Sequence, residues 1–300
     1  MNENTNKSQF PQGLPFTQIF KTFRLSIQPS KLFLSLFAIA LICLTGWLMD
    51  LSKTVIVTNQ NNNYKNQTKQ QNITELDIYL SNPQNFESKI SGIKENSNSQ
   101  GLFKTLWRFA RSKFNASLSS LFAFNFKDIA VHITEYLRAI EWALKYHLIY
   151  CLIFVLIKLS IIAVFGGAIC RMSALQYAKN EKPGMFAALS FSLKRFTNFF
   201  AAPLIPIFLI TVVGLLAIAS FALTANIPLL GGFITAVFIP LIFLAGAFIA
   251  FLIIGAAAGF NLMFPAICYD GSDCFDAMSR SFSYIYAKPW TFGFYSALAA

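Results

Sequence analysis

From Phe196 to Tyr269 the chain runs for 74 residues without an Asp, Glu, Lys, Arg or His. A helix in water turns a polar side to solvent every few residues, so a run this long and this apolar is solvated by lipid. It is long enough for two helical crossings of about 20 residues each. Two more apolar stretches precede it. Leu32–Met49 is flanked by Lys31 and Asp50, with Trp47 at its far end. Tyr146–Ile169 follows a helical pattern capped at Asp128 that runs straight into it. Within the charge-free run the third span extends from about Phe199 to Leu223, with Pro203 and Pro206 in its first turns. The fourth, Phe233–Met263, is longer than one crossing requires and predicts a tilt, a kink at Pro240 or a re-entrant segment. Trp290 opens a fifth apolar run that reaches Ala300 after 11 residues, and the expectation is a natural chain that continues. The pattern predicts an all-α membrane protein with about four full transmembrane helices and the start of a fifth.

Between the spans the sequence is polar. Residues 1–31 form a tail in which Phe16–Gln28 has helical apolar spacing, read either as an amphipathic surface helix or as a plain basic tail. The 31-residue lead is too long for a cleaved signal peptide, so residues 32–49 read as an uncleaved anchor. Residues 50–145 make one polar domain, part disordered and part helical. Its Asn/Gln-rich stretch Asn59–Asn72 reads as a loop. Asn66, Asn72 and Asn115 begin glycosylation sequons of a kind that Asn-rich sequence produces by chance. In Leu102–Phe114, Lys104, Arg108 and Arg111 share one helical face, opposite Leu106, Trp107, Phe109 and Phe114. This basic amphipathic helix suits a headgroup layer, and it suits packing on the rest of the domain equally well. The connector 171–198 holds a turn at Asn180–Gly184 and a short amphipathic helix over Phe186–Phe196. Gly255 and Gly259 make a G-x-x-x-G pattern that permits close helix contact.

Composition sharpens this reading. Apolar residues make up 55% and charged residues 12%, and the 33 Phe suit surfaces in contact with lipid or other helices. The net charge of +11 lies at the flanks of the spans, where Lys and Arg orient helices, so it does not point to nucleic acid. The tail holds four basic residues, the 171–198 connector five and the 225–232 turn none. That asymmetry places the N-terminus and both amphipathic connectors inside and residues 50–145 outside. Cys43, Cys151, Cys170, Cys268 and Cys274 form no C-x-x-C pair and read as small apolar fillers. A shift of 89 residues lays Phe186–Ser192 over Phe275–Ser281, matching Phe, Ala and both Ser, with Gly166 over Gly255. This predicts a parallel two-span repeat, 146–223 and 235–300.

Few residues carry candidate chemistry. Lys158 is the one charge inside a predicted span, about 18 Å of helix from either end, too far to snorkel. An intramembrane ionisable group marks a functional position by default, with Asn261, Ser220 or Thr211 as available partners. Asp270, Asp273 and Asp276 form an acidic cluster. Its sharp reading is a metal or phosphate site. Its bland and favoured one is helix capping by Ser272, with Asp273 and Asp276 at the helix N-terminus and Arg280 paired to Asp276. No H-E-x-x-H, P-loop, G-x-S-x-G or G-x-G-x-x-G occurs, which predicts no enzyme of standard type and no cofactor or metal.

Three segments together carry a resemblance: Phe23-Arg-Leu-Ser with Pro29-Ser-Lys-Leu and Gly46-Trp-Leu-Met-Asp50; Gly167–Leu175; and Asp270–Trp290. They resemble a group of uncharacterised bacterial multi-pass membrane proteins. The second half is more distantly similar to the membrane domain that accompanies some glycerophosphodiester phosphodiesterases. The resemblance covers most of the spans and little of residues 51–130. It implies a bacterial cytoplasmic membrane and a C-terminal continuation, and it transfers no active site. The expected function is a non-enzymatic assembly or lipid-interacting scaffold in the bilayer, with a membrane-protein partner or a second copy as its associates. The rival is a small-molecule or lipid transporter with its pathway between the two repeats.

Overall fold

In lipid a backbone has no hydrogen-bonding partner but itself, so uninterrupted runs of Leu, Phe and Ile become helices. The computed structural model describes residues 25–60, 71–93, 98–225 and 231–299. It is largely helical. Among the described residues four helices are long and apolar enough to cross a membrane: Pro29–Ser52, Leu148–Lys179, Leu204–Leu223 and Ala236–Asp270. The chain is therefore an α-helical multi-pass membrane protein. It divides into two compact units, residues 39–159 and residues 160–300 with the first 38. The dividing points fall within the first two spans rather than at their ends. Most of the tail 1–31 and the 226–230 part of the uncharged turn lie outside the described residues.

In the 39–159 unit, the end of helix α1 (Pro29–Met49) passes through a 3-10 turn (Asp50–Ser52) into strand β1 (Val55–Gln60). Strands β2 (Gln71–Thr74) and β3 (Asn98–Gln100) flank β1, both antiparallel to it. The expected Asn59–Asn72 loop is thus shorter at both ends, since Asn59 lies opposite Asn72 and Gln60 opposite Gln71. Ladder hydrogen bonds satisfy the backbone there whatever the side chains. Residues 61–70, with Asn66, lie outside the described residues. Helix α2 (Glu75–Ser81) starts at a capping box, in which Asp77 N–H donates to the Thr74 hydroxyl and Thr74 N–H donates to the Asp77 carboxylate at 3.0 Å. Helix α3 (Phe86–Ile93) follows, then a hairpin of two 21-residue helices, α4 (Leu102–Phe122) and α5 (Phe126–Tyr146). Val55, Leu76, Phe86, Leu102 and Trp142 form the core between them. Asn115 is exposed on α4.

Two details of α5 differ from the sequence reading. Its N-cap is Asn125, not Asp128. Asp128 sits in the first turn, where its carboxylate accepts from Asn125 Nδ2 at 2.6 Å and faces the positive helix end. Nor does α5 run straight into the second span. It stops at Tyr146, His147 takes a non-helical conformation (φ −128°, ψ 39°), and helix α6 (Leu148–Ile161) begins anew.

In the 160–300 unit, α6 passes through one π turn (Ile162–Gly166) into helix α7 (Gly167–Lys179), which ends at Asn180 in the left-handed conformation. Helices α8 (Met185–Lys194), α9 (Phe196–Ala201) and α10 (Leu204–Ala225) follow. Pro203 marks the break before α10. Helix α11 (Gly231–Asp270) is continuous through Pro240 and Pro265, so the fourth apolar stretch is not re-entrant. Its 40 residues rise about 60 Å, twice the roughly 30 Å of a hydrocarbon core. Helices α12 (Cys274–Ala287) and α13 (Pro289–Ala299) complete the order.

The short helices fold back on the long ones. Along α11, α12 runs antiparallel: Tyr286 Oη donates to Phe251 O, and Phe282 and Ser281 press on Gly255 and Gly259. A β-carbon on Gly255 would lie 2.9 Å from the Phe282 ring, so the G-x-x-x-G serves this contact. Along α7, α8 does the same, with Ser192 against Gly167 and Ala188 packed with Ala168 and Met172. Helices α7 and α11 run in the same direction where they touch. Gly166 faces Phe264, and Gly167 O accepts from Cys268 Sγ. The 89-residue shift carries the start of α8, Met185, onto that of α12, Cys274. Ser192 and Ser281 are both buried, as are Ala188 and Ala277, while Phe186 and Phe275 are both exposed.

One ionic feature closes the end of α11. Its last turn finishes at Gly271, at φ +68°, whose N–H donates to Ile267 O at 2.9 Å. The remaining carbonyls need donors from elsewhere. The Arg171 guanidinium donates to Cys268 O and Tyr269 O while lying 4.2 Å over the Phe191 ring, and Arg195 donates to Gly271 O. Two of the basic connector residues are therefore cations at a helix C-terminus, where the dipole favours them. Arg171→Leu is expected to lower the stability of the purified protein by about 1.5–3 kcal/mol, the worth of hydrogen bonds to a charged group. Thermal unfolding in detergent measures it. Arg171→Lys should recover only part of the loss, because an ammonium does not stack on Phe191 as a guanidinium does.

Candidate functional site

The hairpin α4–α5 is held at its base by one carboxylate. Gly101, the N-cap of α4, has no side chain to offer. Asp50 supplies the cap instead: it accepts from Phe103 N and Lys104 N, both at 2.8 Å, and from Tyr150 Oη on α6 at 2.9 Å. A carboxylate on the first N–H groups of a helix satisfies orphan donors and meets the positive dipole end. Gly46 allows the approach, since a β-carbon there would overlap the Phe103 ring. The sequence reading made Asp50 only a flank of the first span.

The 102–114 helix packs one side on the rest of the domain and leaves a neighbouring side exposed. Leu102, Leu106 and Phe109 pack into the domain core or against it. Trp107, Phe114, Leu118 and Leu121 remain exposed along a neighbouring stripe. On α5, Ile133, Leu137, Ile140 and Leu144 form a second exposed stripe at helical spacing, which continues into Leu148 and Leu152 of the span. The hairpin tip is more apolar still, with Phe122, Phe124 and Phe126 at 76%, 80% and 68% exposure. A continuous exposed apolar surface of this kind marks an interaction face.

Between the stripes lie two cavities that share Tyr136. One, of about 590 Å³, is lined by Trp107, Ala110, Phe114 and Ile133 together with the charged or polar Arg111, Lys113 and His132. The other, of about 240 Å³, is lined by Phe103, Leu106, Ile140 and Leu144 and reaches Phe154 and Val155 on α6. Lys113 is paired with Glu135, which His132 also approaches at 3.4 Å. Burial pushes the Glu135 carboxyl up, and the hydrogen bonds from Lys113 and His132 outweigh it, so its net shift is downward. Arg111 makes no ion pair among the described residues.

Beneath the hairpin is a buried acid–base group that sequence reasoning missed. Glu75 accepts from Ile56 N at 3.2 Å and lies 3.8 Å from His147 Nε2, and the Trp142 ring packs edge-on to the His147 ring at 5.1 Å. Burial pushes the Glu75 carboxyl up, opposed by the Ile56 N–H and the Trp142 indole, and burial pushes the His147 imidazole down. Both shifts favour the neutral forms. A helix N1 glutamate and a histidine 72 residues later carry no spacing signal, so only the fold joins them.

The residues expected from sequence fall as follows. Lys158 is exposed on α6, one turn beyond Val155 at the membrane end of the groove, and belongs to the 39–159 unit. Asn261 is exposed on α11 in the other unit, and the Thr211 and Ser220 hydroxyls turn back onto Ile207 O and Ala217 O of their own helix. In the acidic cluster the helix cap is Asp273, not Ser272: its carboxylate accepts from Asp276 N at 2.8 Å, whereas Ser272 Oγ donates to Ala266 O at 3.3 Å. Asp bridges to the first turn with the added benefit of the dipole. Arg280 pairs with Asp276 and also with Asp270. Among the described residues no group of His, Cys, Asp and Glu is placed to hold a metal ion. Comparison with family models, with curated proteins and with solved structures finds no match to this chain.

Two outcomes are expected. Asp50→Ala removes the cap of α4 and should cost about 0.5–2 kcal/mol. Hydrogen exchange should report it as faster exchange at Phe103 and Lys104. The buried carboxyl gives a pH dependence. Glu75 has a raised folded-state pKa, so its contribution is present below the unfolded value and is lost as pH rises through the folded one. His147, depressed, contributes above its unfolded value and loses that contribution as pH falls. Glu75→Gln keeps an acceptor for Ile56 and should remove the alkaline-side loss, making the variant more stable than the parent at pH 8 and the difference smaller at pH 5. Melting temperatures across that range check it.

Proposed function

We propose that the chain is a lipid-engaging scaffold of the bacterial cytoplasmic membrane, with residues 50–145 outside, whose α4–α5 hairpin lies in the interfacial layer of the bilayer. One observation carries the reading: the exposed apolar stripes of the hairpin are continuous with the lipid-facing residues of the second span. The chemistry of α4 agrees, for Leu102–Phe122 holds Lys104, Arg108, Arg111 and Lys113 and no acid. An amphipathic helix with Trp and Phe on one side and cations beside it is suited to anionic headgroups. The orientation rests on the Lys/Arg asymmetry of the flanks.

The second reading is a transporter. It rests on a parallel duplication of the α7–α8 and α11–α12 arrangements, for which the equivalent burial of Ser192 and Ser281 speaks. Lys158 would then lie beside the pathway, and Lys158→Met would abolish flux without loss of insertion.

Spin labels at single cysteines in a cysteine-free background distinguish the readings. In vesicles, labels at Leu118, Phe122 and Leu137 are expected to be accessible to oxygen and shielded from a water-soluble nickel complex, with Ser119 and Glu141 showing the reverse. Access of the nickel complex to all five positions would remove the interfacial reading.

A further inference from the structure

We infer that the groove between the two apolar stripes holds one acyl chain of an anionic glycerophospholipid, with its phosphate at Arg111 and its tail directed along α5 toward Phe154 and Val155. The inference rests on the interfacial placement of the hairpin and goes beyond it, from a surface that meets lipid to a site that retains one molecule.

The groove has the form that such an occupant needs. The larger cavity, about 590 Å³, is within the roughly 300–1,000 Å³ of sites that enclose small ligands, and the smaller one extends it toward the span. The smaller cavity is lined mainly by Leu, Ile, Ala, Phe and Val, with no charged side chain, and its Tyr150 hydroxyl is already bonded to Asp50. Charged side chains line the larger cavity and not the smaller one, and there Glu135 already neutralises Lys113. Arg111 is left as the cation without an ion pair among the described residues, positioned to take a phosphate in a two-bond fork. The other end opens at Phe154 and Val155, inside the membrane-spanning segment, so a chain can enter sideways from the bilayer without passing through water. An uncharged chain would leave Arg111 unused. A soluble anion would leave the apolar walls bare. An amphiphile with one anionic head and a long tail uses both.

The test uses the full chain in nanodiscs that contain a phospholipid with a photoactivatable group midway along one acyl chain, offered as phosphatidylglycerol or as phosphatidylcholine. Adducts are mapped by peptide mass spectrometry. Adducts at Leu106, Tyr136 and Ile140 are expected, favouring phosphatidylglycerol about tenfold, the scale of one strong charged contact. Arg111→Glu should remove the headgroup preference. Ala110→Phe should remove groove adducts and leave those at exposed Leu118 and Leu137 intact. Arg111 is exposed, so its substitution keeps the test usable if Ala110→Phe fails to fold. Groove adducts no more frequent than at Leu118, or insensitive to headgroup and to Arg111→Glu, would overturn the inference while leaving the hairpin in the interface. Spin labels open to the nickel complex would instead overturn the interfacial placement on which it rests.

Discussion

A helix end leaves backbone groups without intrahelical partners, and this chain satisfies two such ends with charged side chains from other elements. In the 39–159 unit the end is the N-terminus of α4 and the side chain is Asp50. In the 160–300 unit the end is the C-terminus of α11 and the side chains are Arg171 and Arg195. In each case the sign of the charge opposes the helix dipole. Because the partners are distant in sequence, each bond also fixes tertiary structure. Asp50 ties the end of the first span, the hairpin and, through Tyr150, the second span.

Packing in the membrane unit follows from the same scarcity of polar partners. Lipid is as apolar as a leucine side chain, so helices gain little by hiding apolar surface from it and associate through close contact instead. Gly167, Gly255 and Gly259 provide that contact, and in each case the partner is a short helix folded back on a long one. The arrangement also explains the length of α11. A helix of about 60 Å exceeds one crossing, and α12 packs along it at Phe251, Gly255 and Gly259. The two buried serines differ in how they are satisfied. Ser281 Oγ donates to Ala277 O at 2.7 Å, whereas Ser192 Oγ has no hydrogen-bond partner among the described residues and lies against Gly167. A glycine at 167 is therefore required by Ser192 and Phe199 together.

The sequence disclosed what depends on local composition. The charge-free run from Phe196 to Tyr269 located two spans, the turn at Asn180–Gly184 separated α7 from α8, and the Gly255–Gly259 spacing announced a close helix contact. It did not disclose what depends on distant partners. Asp50 reads as a flanking charge until Gly101, a cap with no side chain, is seen beside it. Ser272 and Asp273 are both competent caps, and only the backbone decides that Asp273 holds the position. Ser272 is drawn away by Ala266 O. The strands at Val55–Gln60 and Gln71–Thr74 were hidden for a different reason. Asn and Gln favour turns in isolation, and a three-stranded ladder overrides so weak a preference.

His147 shows why the break between α5 and α6 belongs to the polar domain rather than to the span. At His147 the helical conformation is interrupted, although His147 N–H still donates to Ala143 O and Cys151 N–H to His147 O. That conformation places its ring against Trp142 and its Nε2 near Glu75, at the foot of the domain core. Burial disfavours the charged form of both groups there, so the break lies beside the domain core.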